Sequence, residues 1–163
     1  MTTTPHYQSL SNTLFRERQL LELLVFKLEE EQLLLAAART RWLHHATREV
    51  EAVLERLRAH ELERAVQADD VARRLGVEDV DLRTLAARAP APWDQIFATH
   101  HEALANLVLD IDTLAATNRE LLARGQQATT EALDRLGNTT SAPFDERTRP
   151  RDETPLGFVD RVM

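Results

Sequence analysis

Cysteine is absent from this chain of 163 residues. Its absence excludes disulfide bonds, thiolate zinc sites and cysteine nucleophiles, and it is typical of proteins of a reducing cytosol. Glycine and proline are scarce as well, and neither occurs between Pro5 and Gly76. Because these two residues are the strongest helix breakers, their absence over this stretch favours long helices over strands and turns.

Long apolar runs and strong positive charge are also missing. The longest purely apolar run, residues 33–38, is far shorter than the roughly 20 residues that a membrane span needs. Residues 1–10 lack the basic and apolar regions of a secretory signal. A net charge of −7 disfavours nucleic acid as a partner, because its phosphates attract clustered Lys and Arg. We therefore expect a soluble cytoplasmic protein without membrane insertion.

Leucine recurs in steps of seven along the first part of the chain, at Leu14, Leu21, Leu28 and Leu35. This spacing predicts a first helix that begins near a cap at Ser9 or Ser11. The pattern weakens around residues 36–41, where Thr40 is a candidate cap for a second helix. A single rod from Ser11 to about Ala65 is the alternative.

From Asp69 onward the sequence predicts shorter helical units, with Gly76 as a stop signal. Pro90 and Pro92 prevent a helix from running straight through, so a last long helix is expected from Trp93 to Leu136, ended by Gly137. The two tryptophans, Trp42 and Trp93, are expected to pack the ends of a bundle.

These patterns predict an all-α fold, an elongated antiparallel helical bundle or coiled coil of three long helices with a short helical link. Residues 1–8 are expected to be a flexible N-terminus, residues 9–137 the helical domain, and residues 138–163 a disordered tail rich in proline and charge.

The sequence offers no pattern for catalysis, cofactor binding or metal binding. Two histidine pairs, His44-His45 and His100-His101, are adjacent in sequence. Neighbours on a helix point about 100° apart, so such a pair does not chelate one ion from one face. No Gly-rich phosphate loop and no strand to carry a nucleophile is found. We expect a protein that is not an enzyme and has no cofactor.

Residues 68–77, ADDVARRLGV, are similar to the first helix of a helix-turn-helix, with Arg73, Arg74 and Arg83 as the evident DNA contacts. The expected recognition helix, however, would begin among three acidic residues, Glu78, Asp79 and Asp81, which repel phosphates. A short helical hairpin between longer helices is the preferred interpretation.

Asn118 occupies an apolar stripe of the last helix, near Ile111, Leu114 and Leu121. A lone asparagine at such a position either fixes the register of packed helices or binds the backbone of a partner. Both interpretations stay open at this point.

Four segments in order resemble the FlgN family of flagellar type III export chaperones. They are LLELLVFKLEEEQLLL, HHATREVEAVLERL, RRLGVEDVDLRTLA and TNRELLARGQQATTEALDRL, within residues 10–137. The clearest match is Asn118-Arg119-Glu120-Leu121-Leu122, where family members carry an asparagine followed by a leucine pair. The chain lacks the glycine that many members have at the first turn between helices.

The resemblance implies a non-enzymatic chaperone that binds the hook-filament junction proteins FlgK and FlgL through their C-terminal segments and helps present them to an export-gate component. It implies that the client binds the last long helix. The expected partner-binding residues are Leu107, Ile111, Leu114, Asn118, Leu121 and Leu122.

Two further hypotheses concern the tail and self-association. Bulky apolar residues in the polar tail are candidate anchors for the export gate, namely Phe144, Leu156 and Phe158. The leading rival to the chaperone hypothesis is a self-associating structural or regulatory coiled coil, in which the stripe from Leu14 to Leu35 forms a homodimer seam.

Overall fold

The computed structural model describes the backbone of residues 4–140 and the side chains of residues 5–137. This part of the chain forms four α-helices: α1 (Thr4–Ala36), α2 (Thr40–Leu75), α3 (Leu82–Arg88) and α4 (Trp93–Thr140). No strand occurs among the described residues. The predicted all-α class is therefore confirmed.

The chain divides into two compact units, Met1–Gln127 and Ala128–Met163. The first unit contains α1, α2, α3 and the part of α4 up to Gln127. The described part of the second unit is the end of α4, where Leu133 and Leu136 are exposed. The sequence-based division at residues 8 and 137 stays a prediction.

α1 begins at Thr4, several residues before the predicted caps at Ser9 and Ser11. Pro5 fits the first turn of a helix, because the N–H that proline lacks has no intrahelical partner there. Tyr7 is only 4% exposed. Packing of this side chain therefore helps hold the first turns in helical form, where the sequence alone predicted a flexible segment.

A short turn at residues 37–39 separates α1 from α2. Ala38 has a φ of 51°, in the left-handed region, and the backbone N–H of Arg39 donates to Leu34 O at 2.9 Å. This position after a helix usually carries glycine, because a Cβ makes the conformation costly. The turn predicted around residues 36–41 is confirmed, and the single rod from Ser11 to Ala65 is wrong.

α2 is longer than the sequence pattern predicted, because it continues through Asp69 to Leu75. Val71 and Ala72 are buried and extend its apolar stripe, so residues 69–75 form its last turns and not a separate helix. Gly76 ends α2 as predicted. Its φ is 67°, and its backbone N–H points to carbonyl groups of the last turn.

Asp81 defines the start of the short helix α3. Its carboxylate accepts hydrogen bonds from the backbone N–H groups of Arg83 at 2.9 Å and Thr84 at 3.2 Å. These bonds satisfy two of the N–H groups that a first turn leaves free. The Thr84 hydroxyl and the Arg83 N–H hold the pKa of Asp81 below its usual range.

α4 begins at Trp93, as predicted from Pro90 and Pro92. It continues through Gly137 to Thr140, so the predicted stop at Gly137 is wrong. A glycine in a helix costs only about 1 kcal/mol relative to alanine, and this cost alone does not end a long helix.

α1 and α2 lie side by side and run in opposite directions. Near the start of α1, His6 Nδ1 lies 2.6 Å from Asp70 Oδ2, close to the end of α2. Toward the end of α1, Lys27 Nζ lies 2.6 Å from Glu49 Oε2, in the first half of α2. Hydrogen bonds to Glu30 and Glu49 raise the pKa of Lys27.

α4 lies along α1 and runs in the same direction. Ser11 Oγ is 3.1 Å from His100 Nε2. Farther along both helices, Asn118 Nδ2 donates to Leu28 O at 3.0 Å. Both α1 and α4 are therefore antiparallel to α2 within the first unit.

Two apolar clusters make up the core of the first unit. Cluster A joins all four helices, and its buried members are Tyr7, Leu10, Leu14, Ala68, Val71, Ala72, Leu85, Ala86, Trp93, Phe97 and Leu104. Cluster B has the buried members Leu24, Leu28, Val50, Val53 and Leu57. Ile111 and Leu114 of α4 pack against cluster B.

The seven-residue leucine stripe of α1 is used inside the chain. Leu14 belongs to cluster A and Leu28 to cluster B, while Leu21 packs against both. Leu35 is half-buried. The stripe therefore packs against the chain's own helices, which leaves little of it for a homodimer seam.

The two tryptophans differ in their surroundings. Trp93 is buried beside Tyr7 and Phe97, with ring centroids 5.7 and 6.1 Å from its own. Trp42 is 47% exposed, and the guanidinium of Arg41 lies 4.6 Å from its ring centroid. The prediction that Trp42 packs an end of the bundle is wrong, since the buried residues of α2 begin only at Ala46.

A polar group interrupts the core between the two clusters. Glu17 is only 6% exposed, its Oε1 lies 3.3 Å from Arg64 Nη1, and its Oε2 has no hydrogen-bond partner. His60 Nε2 donates to Thr13 O at 2.8 Å in the same region. Burial raises the pKa of Glu17, and the nearby Arg64 and His60 only partly oppose this effect.

Within residues 4–140, none of the helices combines the length and apolar character needed to cross a lipid bilayer.

We expect Leu28→Asp to unfold the protein or to lower its free energy of unfolding by about 3 kcal/mol or more. The substitution removes a buried leucine and places a carboxylate in cluster B. Urea unfolding followed by circular dichroism measures the change. Leu33→Asp is the matched control, because Leu33 lies on the same helix and is 69% exposed. A folded Leu28→Asp monomer obtained from a dimeric parent would instead identify the stripe as a dimer seam.

We expect Glu17→Gln to gain stability relative to the parent protein as the pH rises from about 4 to 7. The native state raises the pKa of Glu17, so it binds the proton more tightly than the unfolded state does. This carboxyl therefore lowers stability as the pH rises from its unfolded pKa through its folded pKa. Urea unfolding at several pH values measures the effect, with Glu29→Gln, an exposed glutamate of the same helix, as the control. A pH-independent difference for Glu17→Gln would contradict this assignment.

Candidate functional site

A pocket of about 320 Å³ opens where α1, α2 and α4 meet. Its apolar wall consists of Leu28, Leu35, Leu43, Ala115 and Leu122. Its polar lining consists of Glu31, Thr47, Asn118 and Arg119. Apolar clefts with a few fixed polar groups are the usual form of ligand-binding sites in proteins.

Asn118 is the most constrained polar side chain in this pocket, with only 5% of its surface exposed. Its Nδ2 donates to Leu28 O at 3.0 Å and to Glu31 Oε2 at 3.1 Å. Because both neighbours are acceptors, the nitrogen of the amide faces α1 and the oxygen faces away from these two groups. The amide therefore fixes the register of α4 on α1.

The other half of this amide is unsatisfied. Asn118 Oδ1 is buried and has no hydrogen-bond partner. A buried acceptor without a partner costs about 1–3 kcal/mol, so native structures pair nearly all of them. The unpaired oxygen therefore lowers the stability of the contact between α1 and α4.

Glu31 links the asparagine to α2. Its Oε2 accepts from Asn118 Nδ2, and its Oε1 accepts from the Thr47 hydroxyl at 2.8 Å. The nearby Lys27 pairs with Glu30 and Glu49 instead. Glu31 thus accepts hydrogen bonds from side chains of both α2 and α4, and it joins these two helices to α1 in the wall of the pocket.

The structure places the predicted partner-binding residues in different surroundings. Ile111 and Leu114 pack against cluster B, and Leu107 and Leu121 are half-buried. Asn118 and Leu122 line the pocket, and Leu122 is 42% exposed. The structure therefore brings two of the six side chains to one opening and turns at least two others toward the core.

The remaining predicted residues belong to the tail. Phe144, Leu156 and Phe158 lie outside the described residues.

Sequence reasoning missed Glu31 and Thr47, since the run Glu29-Glu30-Glu31 has the composition of a solvated surface. A signal was present in the spacing. Glu31 lies three residues after Leu28 and four before Leu35, on the apolar stripe of α1, and Thr47 follows Leu43 by four. Spacing alone does not show that the two residues meet, because they lie on different helices.

A larger, shallower groove of about 600 Å³ lies between α1 and α2, lined in part by Arg16, Arg56, His60 and Glu63. Its lining includes none of the six predicted partner-binding residues. The smaller pocket is the stronger candidate, because it combines an apolar wall with two of the predicted partner-binding residues, Asn118 and Leu122.

Metal binding and DNA binding have little support in the part of the chain that the structure describes. No three His, Cys, Asp or Glu side chains in that part lie close enough together to hold a metal ion. Burial lowers the pKa of His100, with a smaller contribution from Arg18. Arg73 and Arg74, the suggested DNA contacts, form ion pairs with Asp69 and Asp70 on the same helix.

Comparison with protein-family models gives a match over most of the chain. The family model described as FlgN protein matches residues 1–144 of the chain. Searches of curated proteins and of solved structures return no match. The family match covers all of α1 to α4, including every residue of the pocket. The chain therefore belongs to the FlgN family, a family of flagellar export chaperones.

Proposed function

We propose that this protein is a cytoplasmic chaperone that binds the C-terminal helical segments of the hook-filament junction proteins FlgK and FlgL. In this role it prevents their premature assembly and presents them to the flagellar type III export gate. It acts by stoichiometric binding and release, without catalysis or a cofactor. The family match over residues 1–144 carries the proposal, and the pocket beside Asn118 supports it.

The pocket suits a client helix. An amphipathic helix presents anchor side chains at i, i+3, i+4 and i+7, and it places them in an apolar hollow between helices. Leu122 and Leu43 offer apolar contact from α4 and α2, and Leu35 offers it from α1. An anchor side chain can therefore contact three helices at once and bury a large apolar area.

We assign the client contact to Asn118 and Leu122 first. Leu107, Ile111, Leu114 and Leu121 belong to the same proposal in a second role. They are half-buried, and Ile111 and Leu114 pack against cluster B. Their contribution is to hold α4 in the position that shapes the pocket.

The rival hypothesis, a self-associating coiled coil, has less support. It requires the leucine stripe of α1 on the outside, whereas Leu14 is 1% exposed and Leu28 is 6% exposed. A DNA-binding role requires a recognition helix, and α3 has only seven residues. The family match favours neither of these hypotheses.

We expect Asn118→Ala and Leu122→Ala each to weaken client binding by about tenfold, which corresponds to about 1.4 kcal/mol. Leu122→Ala removes apolar surface from the pocket wall, and Asn118→Ala removes the hydrogen bonds that hold α4 in the position that shapes the pocket. Leu109→Ala is the matched control, because Leu109 is on the same helix, is 64% exposed and does not line the pocket. Titration of fluorescently labelled C-terminal segments of FlgK and FlgL measures the dissociation constants.

Co-purification of the unaltered protein with FlgK and FlgL, each with and without its C-terminal segment, tests the proposal as a whole. A complex of one chaperone with one client that requires the segment supports it. If the folded protein captures neither client, the proposed function is wrong. If binding is retained but Leu109→Ala weakens it as much as Leu122→Ala, the pocket assignment is wrong.

We also propose that the tail contacts the export gate through Phe144, or through Leu156 and Phe158. Removal of residues 141–163 leaves α4 whole, and we expect it to spare client binding while lowering the export of FlgK and FlgL severalfold. Secretion assays in a strain with the truncated protein measure this effect. Full-length protein with Phe144, Leu156 and Phe158 changed to Ala is the matched variant, and unchanged export in both strains would remove this role.

A further inference from the structure

A second concave surface of the first unit is the groove of about 600 Å³ between α1 and α2. Its lining comes from these two helices alone, within residues 16–23 of α1 and 56–63 of α2. None of the lining residues belongs to the pocket at Asn118. The proposed client site therefore leaves this groove unused.

The groove has an apolar lining that consists of Leu20, Leu23 and Ala59. Exposed aromatic side chains extend this surface along α1. Phe15 precedes the lining residue Gln19 by four positions, and Phe26 follows Leu23 by three, so each shares a helix face with a lining residue. Each phenylalanine is 51% exposed. Single exposed apolar residues are ordinary, whereas a group of them beside a groove is typical of an interaction site.

The unpaired charges of the lining are both positive. Arg16 and Arg56 line the groove, and neither has an ion-pair or hydrogen-bond partner among residues 5–137. The lining also contains a carboxylate, that of Glu63, which accepts a hydrogen bond from Gln67 at 3.3 Å and lies 3.8 Å from His60 Nδ1. An occupant therefore meets two free guanidinium groups and one carboxylate that already has neighbours.

The other acidic residues near the groove do not cancel these charges. Glu22 pairs with Arg18, and Glu49 pairs with Lys27. Glu55 is exposed and does not line the groove. The local balance of free charge is therefore positive, although the whole chain has a net charge of −7. Such a surface complements an acidic partner.

The positions of the two arginines favour a helix as the occupant. Because α1 and α2 are antiparallel, Arg16 and Arg56 lie on opposite walls and at opposite ends of the groove. The lining covers eight residues on each helix, which is about two turns or 10 Å. An amphipathic helix has its anchor side chains at i, i+3, i+4 and i+7, and these cover the same length.

We propose that the groove between α1 and α2 is a second interaction surface, which binds an acidic amphipathic helix of a partner protein. The apolar stripe of that helix packs on Leu20, Leu23 and Ala59. One carboxylate on each flank of the stripe, about two turns apart, pairs with Arg16 or Arg56. This inference goes beyond client binding and does not depend on it, since the two sites share no lining residue.

A designed peptide tests the charge preference. The probe is a fluorescently labelled helical peptide of about 18 residues, long enough for a stable helix, with a leucine stripe flanked by glutamates. The comparison peptide has lysine at every glutamate position. We expect the full-length protein to bind the acidic peptide about tenfold more tightly than the basic one at low salt, and we expect high salt to reduce the difference. Fluorescence anisotropy measures both dissociation constants, and equal binding of the two peptides would overturn the proposal.

Charge reversal in the groove locates the binding. Arg16 and Arg56 are both exposed, so we expect the double variant Arg16→Glu/Arg56→Glu to fold and to prefer the basic peptide. Arg39→Glu/Arg58→Glu is the matched control, because it changes the net charge equally at two exposed arginines outside the groove. We expect this control to keep the preference for the acidic peptide. If both double variants respond alike, the binding follows net charge and the groove is not the site.

An alanine substitution tests the apolar contact. We expect Phe26→Ala to weaken binding of the acidic peptide about fivefold, because it removes exposed apolar surface beside the groove. Leu33→Ala is the control, since Leu33 is 69% exposed on the same helix and lies ten residues beyond Leu23. Equal effects of the two substitutions would overturn docking at this groove.

Competition separates this surface from the client site. We expect a saturating concentration of the FlgK or FlgL segment to leave the dissociation constant of the acidic peptide unchanged. Displacement of the peptide by the segment would show one shared site and overturn a second surface. If the protein binds no client segment, the proposed function fails, and the peptide titrations still decide this inference.

Discussion

The packing of α1 against α2 and α4 is the constraint on which the rest of the first unit depends. A helix of 33 residues with an apolar stripe along its length is unstable in water unless other helices cover that stripe. Cluster A covers its first half, and cluster B covers most of the second. Beyond Leu28 the cover becomes incomplete, and the pocket lies where the three helices meet around Glu31 and Leu35. The pocket is thus the end of the core rather than a separate feature.

Polar groups inside the core explain why the helices keep one register. Leucine clusters alone tolerate sliding by a turn, because one leucine replaces another at little cost. Asn118 and Glu31 remove this freedom, since a one-turn shift of α4 would move the amide away from Leu28 O and leave more polar groups unpaired. Glu17 and Arg64 have the same effect between α1 and α2. Buried polar contacts therefore trade some stability for a defined pocket.

The sequence predicted the helices well where local signals decide them. As the sequence predicted, α2 ends at Gly76, and α4 begins at Trp93, just after the two prolines. The sequence predicted helix boundaries poorly where tertiary packing decides them. Burial of Tyr7 extends α1 back to Thr4, and burial of Val71 extends α2 beyond Asp69. Ala38 adopts the left-handed conformation, although this position usually carries glycine, so the sequence did not indicate it. For the site, the sequence singled out Asn118 and Leu122, but Glu31 and Thr47 join them only through contacts between helices that no local pattern contains.

Asn118 contributes to the shape of the pocket rather than to its apolar character. Both N–H groups of its amide donate to groups of α1, Leu28 O and Glu31 Oε2, and these bonds hold α4 on α1. The amide oxygen is buried without a partner, so the α1–α4 contact forms in spite of a cost of about 1–3 kcal/mol. The apolar wall of the pocket comes from leucines of three helices, and leucine contacts are non-directional. A hydrogen-bonded amide therefore fixes the position of α4, and side chains that impose no direction of their own form the wall beside it.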